Sequence, residues 1–177
     1  MSFLSMIAKA KASNQNDGDF FLPNLKGVIT IERVFQHTGD LGTSVILTGI
    51  VEECEAKVSG ATTHKVGSKV KKVYAISKFP TVAPGQLKGD LLSISGDKEE
   101  DLSAKDVEAM LGAIFEDSSS PMFELRGIRC TFDSRVIDRS KKGKDSITGV
   151  KFGNMEQSPE EVAARKKDID ARLAKQA

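Results

Sequence analysis

Residues 26–35 read KGVITIERVF, and residues 43–55 read TSVILTGIVEECE. Both stretches are rich in β-branched residues, which favour extended strands. The intervening HTGDLG has the polar, glycine-containing composition of a turn. The pair therefore predicts an antiparallel hairpin as strands one and two, and this hairpin indicates a protein that is mainly β.

Three further strands are predicted after this hairpin. Residues 66–76, VGSKVKKVYAI, indicate strand three, with a bulge at the lysine pair 71–72 where the alternation slips. Residues 123–136, FELRGIRCTFDSRV, indicate strand four, and a shift in the parity of its apolar residues predicts a glycine bulge at Gly127. A short fifth strand is indicated by Thr148, Val150 and Phe152.

Helical patterns lie between strands three and four and at both ends of the chain. A helix is expected over 84–95, with its proline in the first turn. Ser103 and Asp106 have the spacing of a capping box ahead of another helix, and SPEE at 158–161 predicts the start of a C-terminal helix. Apolar residues at helical spacing mark the capped helix and an N-terminal arm: Val107, Met110, Leu111 and Ile114, and then Phe3, Ile7 and Ala10.

The length of 177 residues fits a single domain with tails. The predicted division is an N-terminal arm at 1–19, a barrel domain at 20–155 and a charged C-terminal helix or tail at 156–177. Three strands, a helical connection and two more strands is the element order of the OB fold, a Greek-key barrel. We therefore expect a mixed α+β protein, mainly β, built on a five-stranded OB-fold barrel with helices between strands three and four.

The distribution of charge points to local cationic surfaces. The formal net charge is only +1, so attraction to nucleic acid must come from clusters. Residues 126–151 carry eight cations against three acids, and residues 65–78 carry five lysines and no acid. Within the first cluster, RSKKGKDSITG at 139–149 is either a loop that contacts phosphate or a hairpin tip kept in solution by its charge.

Catalytic and metal-binding patterns are missing from the sequence. KKGKDS lacks the glycine spacing of a P-loop. The only histidines, His37 and His64, form no HExxH motif, and together with Cys54 and Cys130 they form no recognisable metal set. We expect no catalytic residues, no metal and no cofactor. The N-terminus lacks signal-peptide features and no stretch has the length of a membrane span, so a cytoplasmic protein without membrane contact is expected.

From about residue 20 to residue 153 the chain resembles the OB-fold single-stranded DNA-binding proteins encoded by tailed phages. Three stretches carry the resemblance: FFLPNLKG at 20–27, the Val-Gly pair at 66–67, and RGIRCTF at 126–132. The resemblance implies sequence-tolerant, non-catalytic binding of single-stranded DNA in replication, recombination or repair. Replication or recombination proteins, or a second copy that associates through the terminal arms, are further expected partners.

In an OB fold, strands two and three and the loops joining strands one to two and four to five hold the ligand. This placement selects ten nucleic-acid-binding candidates: Lys69, Lys71, Lys72, Tyr74, Arg126, Arg129, Arg139, Lys141, Lys142 and Lys144. Three aromatic residues that flank the strands are candidates for base stacking: Phe20, Phe21 and Phe79. The alternative for the strand cations is a solubilising role, and the alternative for Tyr74 is a half-buried barrel position.

The competing interpretation is a structural or assembly protein, such as a virion component, that uses a small β-barrel with terminal arms to contact its neighbours. The two arms favour this interpretation, as does the low aromatic content of nine Phe, one Tyr and no Trp. Binding to oligo-dT that weakens as salt rises would separate the two hypotheses.

Overall fold

The computed structural model describes residues 18–106 and 125–176 and shows a mixed α+β protein with few helices. Its centre is a six-stranded sheet that curls into a half-barrel, with the strand order β1-β4-β3-β2-β5-β6. All neighbouring strands are antiparallel except β1 and β4. The strands are β1 (Asp19–Phe20), β2 (Leu25–Gly39), β3 (Gly42–Ala56), β4 (Lys69–Tyr74), β5 (Arg129–Ile137) and β6 (Ile147–Asn154).

The helices are α1 (Ala83–Ser95) and α2 (Pro159–Gln176), with short 3-10 turns at Glu99–Asp101 and Ser140–Lys142. Both helices fall where the sequence predicts them. The predicted capping box also forms, because the Ser103 hydroxyl donates to the Asp106 carboxylate at 2.6 Å and the Asp106 amide donates to the Ser103 hydroxyl at 3.1 Å. The apolar residues that follow this box, from residue 107 onward, and the predicted N-terminal arm lie outside the described residues.

The predicted hairpin forms as β2 and β3, and each strand contains a bulge. The register of the pair shifts between Ile31 and Arg33, which leaves Glu32 as the extra residue on β2. It shifts again opposite Val28 and Ile29, which leaves Glu52 as the extra residue on β3. A bulge bends its strand and increases the local twist, so these two positions account for the curl of the longest strands.

The bulge predicted at the lysine pair 71–72 is wrong. β4 pairs with β3 in unbroken register from Lys69 opposite Ile50 to Tyr74 opposite Val45. Regular alternation therefore points Lys72 to the inner face of the sheet, together with Val70 and Tyr74. The sequence lacks regular apolar alternation here because a lysine occupies the inward position, where its ammonium pairs with the Asp90 carboxylate.

Gly127 does not form a bulge within strand four as predicted. It lies in a turn ahead of β5 with a φ of 87°, and its amide donates to the Ile31 carbonyl at 2.9 Å. A Cβ at this position would lie 2.7 Å from the Val162 carbonyl oxygen and 2.8 Å from the Lys166 amide nitrogen. The glycine is thus required both by the left-handed backbone and by the close approach of α2.

The core lies between the inner face of the sheet and α1. Its fully buried side chains come from β2, β3, β4, β5 and α1, among them Leu25, Ile29, Ile31, Leu47, Val51, Val70, Leu91, Ile94, Cys130 and Phe132. α1 packs against both β4 and β6. The two sides of the half-barrel approach each other at this point, because the Lys72 ammonium on β4 donates to the Val150 carbonyl on β6 at 3.0 Å.

α2 begins with the predicted cap, since the Ser158 amide donates to Glu161 at 2.9 Å and the Glu161 amide donates to the Ser158 hydroxyl at 3.2 Å. Ile169 is its one fully buried residue. Polar contacts hold the helix to the sheet domain, including a 2.7 Å hydrogen bond from the Arg165 guanidinium to the Gly127 carbonyl. Within the described residues, no helix combines the length and apolar character that crossing a membrane requires.

Candidate nucleic-acid interface

The bulge at Glu32 decides which residues of β2 face outward, away from the core. Ile29 and Ile31 face the core, and strict alternation would send Arg33 and Phe35 inward as well. Because the bulge inserts one residue, Val34 packs on the core instead, and Arg33 and Phe35 lie opposite the outward-facing Thr48 and Ile46 of β3. Sequence reasoning missed both residues, and the signal for them was the charged pair Glu32–Arg33 between Ile31 and Val34, at which the parity of the core-facing residues changes.

Two aromatic side chains on this outer face each carry a cation. The Lys71 ammonium lies 5.0 Å from the ring centroid of Phe20, and the Arg33 guanidinium lies 4.5 Å from that of Phe35. Phe20 is 62% exposed, and Val73 beside Lys71 on β4 is also exposed. We call this group the platform, and its members are Phe20, Arg33, Phe35, Lys71 and Val73.

Cross-strand register places the members of the platform in two adjacent rows. Phe20 pairs with Lys71, Lys71 with Thr48, and Thr48 with Arg33. The next row runs from Val73 through Ile46 to Phe35. At about 4.8 Å between neighbouring strands, the two phenylalanines are separated by three strand spacings, or about 14 Å, across the sheet, and the change of row adds an offset of about 7 Å along the strands. Thr48 and Ile46 at the centre of the two rows are buried, so the platform consists of groups on either side of them, with the exposed Phe20 ring at one end and the half-buried Phe35 ring at the other.

Three other cations that were predicted as binding residues are held by acids. Lys69 pairs with the buried Glu32 at 3.0 Å. Arg129 pairs with Glu52 at 2.6 Å, so each of the two bulged glutamates neutralises a predicted cation. A third pair is formed by Arg126, whose guanidinium contacts Asp170 of α2 at 2.6 Å. Lys69 and Arg129 face outward from their strands, whereas Arg126 lies half-buried in the turn ahead of β5, and a phosphate would have to compete with a carboxylate for each of the three.

Lys72 and Tyr74 are corrections to the predicted site. Both side chains lie on the inner face, where the Lys72 ammonium and the Tyr74 hydroxyl each donate to the Asp90 carboxylate of α1 at 2.5 Å. Tyr74 is 1% exposed, so its ring cannot receive a base. Burial, followed by the nearby Asp90 carboxylate, raises the pKa of the Tyr74 hydroxyl well above its usual value. The contacts among Lys72, Tyr74 and Asp90 hold α1 against the sheet.

The three predicted stacking residues have different surroundings. Phe20 belongs to the platform. Phe21 is a correction, because it is 5% exposed and packs against Phe132 with ring centroids 5.1 Å apart, which places it in the core. Phe79 is 51% exposed beyond the end of β4, with the Lys78 ammonium 5.4 Å from its centroid, and it stays a stacking candidate outside the platform.

The predicted basic loop is exposed and lies apart from the platform. β5 separates from β2 after the pair of Asp133 with Lys26, so the β5–β6 loop and the turn between β2 and β3 lie at opposite ends of the sheet. The Arg139 guanidinium donates to the Asp145 carbonyl at 2.8 Å and so helps to shape the loop. Among the described residues, no acidic side chain pairs with the cations of this loop: Arg139, Lys141, Lys142 and Lys144.

Groups capable of metal binding or nucleophilic chemistry do not gather at these surfaces. Across residues 18–106 and 125–176, no cluster of three or more His, Cys, Asp or Glu side chains is arranged to hold a metal ion. Cys130 is buried, and burial followed by the Asp90 charge raises the pKa of its thiol to about 12. This thiol stays protonated at neutral pH and lacks the character of a nucleophile.

Comparison with known proteins adds no identification, since no protein-family model, no curated protein sequence and no solved structure matches the chain.

Proposed function

We propose that this protein is a non-catalytic, sequence-tolerant single-stranded DNA-binding protein built on an OB-type barrel. The order β4-β3-β2-β5-β6, with α1 between β4 and β5, supports the barrel type because it is the order in which OB strands follow one another around their sheet. The short β1 is an addition at the β4 edge.

The observation that carries the proposal is the platform. Its two cation-backed aromatic rings lie on one outer face of the three-strand unit β4-β3-β2, in the position where OB folds hold oligonucleotides. Base stacking on an aromatic side chain contributes about 1–3 kcal/mol per base, and a cation at the ring adds electrostatic attraction to phosphate. The exposed Val73 between the rings offers further apolar surface to a base.

The chemistry of the platform favours tolerance of sequence. Every base has a π-face, whereas discrimination among bases requires side chains that hydrogen-bond to base edges. The platform offers rings, an aliphatic side chain and two cations, and Arg33 and Lys71 are already placed over rings. We therefore expect similar affinity for different single-stranded sequences of one length.

From the resemblance to phage-encoded single-stranded DNA-binding proteins, we propose that the activity serves DNA replication, recombination or repair. The competing role, an assembly protein with a small barrel, predicts no affinity for nucleic acid. One titration distinguishes the two proposals.

We expect labelled oligo-dT to raise its fluorescence anisotropy on titration with the protein, and the affinity to fall as salt increases because counterions are released from phosphate. A mixed-sequence oligonucleotide of the same length is the control for sequence tolerance and should bind with an affinity within about threefold of oligo-dT. Absence of binding even at low salt would reject single-stranded DNA binding and favour the assembly role.

A further inference from the structure

The β5–β6 hairpin projects beyond the rest of the sheet. β5 is paired with β2 only as far as Asp133. The next residue, Ser134, is still bonded to the chain ahead of β2, because its hydroxyl contacts the Leu22 and Leu25 carbonyls and accepts a hydrogen bond from the Leu25 amide. Three more residue pairs follow, from Arg135 with Gly149 to Ile137 with Ile147. At about 3.4 Å per residue they extend the hairpin by about 10 Å before the loop begins. We call residues 135–149 the ribbon.

Both faces of the ribbon are open. Val136 and Ile147 belong to successive residue pairs, so their side chains lie on opposite faces of the two-stranded unit. Val136 is 47% exposed and Ile147 is 44% exposed. Each face of the ribbon therefore exposes an apolar side chain to solvent, so the ribbon is accessible from both sides.

The ribbon has an excess of unpaired positive charge, in contrast to the strands. Its five cations are Arg135, Arg139, Lys141, Lys142 and Lys144, and its two acids are Asp138 and Asp145. The Asp138 carboxylate accepts a hydrogen bond from the Ser140 amide at 2.8 Å, which lowers its pKa and fixes the turn. In the described parts of the chain, the ribbon cations have no acidic partner, whereas Lys69, Arg126 and Arg129 each have one.

We propose that the ribbon binds double-stranded DNA in its major groove, so that the protein holds the junction between a duplex and a single strand. The major groove of B-form DNA, about 12 Å wide, admits a two-stranded β-ribbon, and cations along such a ribbon lie within reach of the phosphates on both sides. A single strand on the platform and a duplex on the ribbon would be bound by different ends of one molecule. This inference rests on the proposed function for the single-stranded part only.

The test compares three labelled probes: oligo-dT, a blunt duplex, and the same duplex with an oligo-dT tail. We expect the tailed duplex to bind about tenfold or more tightly than oligo-dT, because two linked contacts add. The variant Lys141→Ala/Lys142→Ala/Lys144→Ala should lose this advantage, so that it binds the tailed duplex no more tightly than it binds oligo-dT. A matched control removes the same charge elsewhere, with the exposed residues Lys98→Ala/Lys167→Ala/Lys175→Ala, and should keep the advantage.

The outcomes separate the two proposals. Equal affinity for tailed duplex and oligo-dT, or an equal loss of the advantage in both triple variants, would overturn the ribbon inference and leave single-strand binding intact. Binding of the blunt duplex without binding of oligo-dT would reject the proposed function and support the ribbon. Tighter binding of an A-form RNA duplex would also overturn the inference, since the deep, narrow groove of that form excludes a ribbon.

Discussion

Asp90 is the residue at which three elements of the fold meet. Its carboxylate, on α1, accepts hydrogen bonds from Lys72 and Tyr74 of β4, and the same Lys72 ammonium donates to the Val150 carbonyl of β6. The Lys72 and Asp90 side chains are 21% and 15% exposed, so solvent screens this pair less than it screens a surface pair. Asp90 thus links the helix to both sides of the half-barrel.

Replacing Asp90 with alanine should lower the free energy of unfolding by about 3 kcal/mol, because a mostly buried ammonium and a buried hydroxyl lose their acceptor. Urea denaturation of the Asp90→Ala variant measures this loss. Glu99→Ala is the matched control on an exposed ion pair with Lys88 and should cost less than about 1 kcal/mol. Similar small losses for both variants would show that the Asp90 contacts do not fasten α1.

The sequence identified the cationic residues but not their partners. Lys69 and Glu32 are far apart in the chain, as are Arg126 and Asp170, and the pairs form only because strand order and helix docking bring them together. From the sequence, the side chain of a lysine on an alternating strand is expected to face outward. The Lys72 side chain nevertheless faces inward, where its ammonium pairs with the Asp90 carboxylate. Which cations stay available for phosphate is therefore a property of the tertiary structure.

The segment that carries Phe20 into position is the strand β1 and the chain that leads from it to β2. Phe21 anchors this segment in the core, and the Leu22 amide donates to the His64 Nε2 atom at 3.1 Å. This hydrogen bond requires an unprotonated Nε2. Burial lowers the pKa of His64 below its usual 6.5, and the nearby Asp19 carboxylate partly opposes this shift.

A histidine whose pKa is lower in the folded than in the unfolded chain contributes stability that is complete above pH 6.5 and declines as the pH falls toward the folded pKa. We therefore expect the melting temperature to decrease as the pH is lowered from about 7.5 to about 5.5. The His64→Gln variant should show a smaller decrease, because glutamine keeps a hydrogen-bond acceptor but does not titrate. Thermal unfolding followed by circular dichroism at the two pH values measures it. The exposed His37→Gln should behave like the unmodified protein, and an identical pH dependence in the His64 variant would contradict the role of this hydrogen bond.

At the scale of strands and helices, periodicity predicted the existence and type of most elements. β2, β3, β4, β6, α1 and α2 lie where the sequence placed them, because each has a strong propensity or capping signal. Bulges were not predictable in the same way. The two that form occur at Glu32 and Glu52, each followed by a second charged residue in an otherwise β-branched stretch, whereas the two predicted at Lys71–Lys72 and Gly127 do not form within a strand.

The unpredicted bulge at Glu32 determines which residues belong to the candidate site. A bulge changes the parity of every residue that follows it, and the one at Glu32 turns Arg33 and Phe35 to the outer face. The sequence located Phe20 and Lys71 because they flank or alternate along predicted strands, but it could not locate the other half of the platform. From the residue types along β2 alone, Phe35 would be predicted to lie in the core.

On the scale of the whole molecule, a net charge of +1 conceals an uneven arrangement. Strand cations are matched by acids, the platform cations lie over aromatic rings, and the ribbon cations face solvent at one end of the sheet. Such an arrangement limits non-specific attraction to polyanions and leaves the two surfaces that we propose for nucleic acid. We infer a division in which the platform stacks bases and the ribbon contacts phosphates.

The central claim is that single-stranded DNA stacks on the platform, and the affinity of Phe20→Ala and Phe35→Ala variants for oligo-dT tests it most directly. Each substitution should weaken binding by about fivefold to 150-fold, which corresponds to about 1–3 kcal/mol for one stacked base. Leu41→Ala, at a residue that is 98% exposed in the turn between β2 and β3, is the control and should leave the affinity unchanged. Affinities of both phenylalanine variants within about twofold of the unmodified protein would contradict the claim.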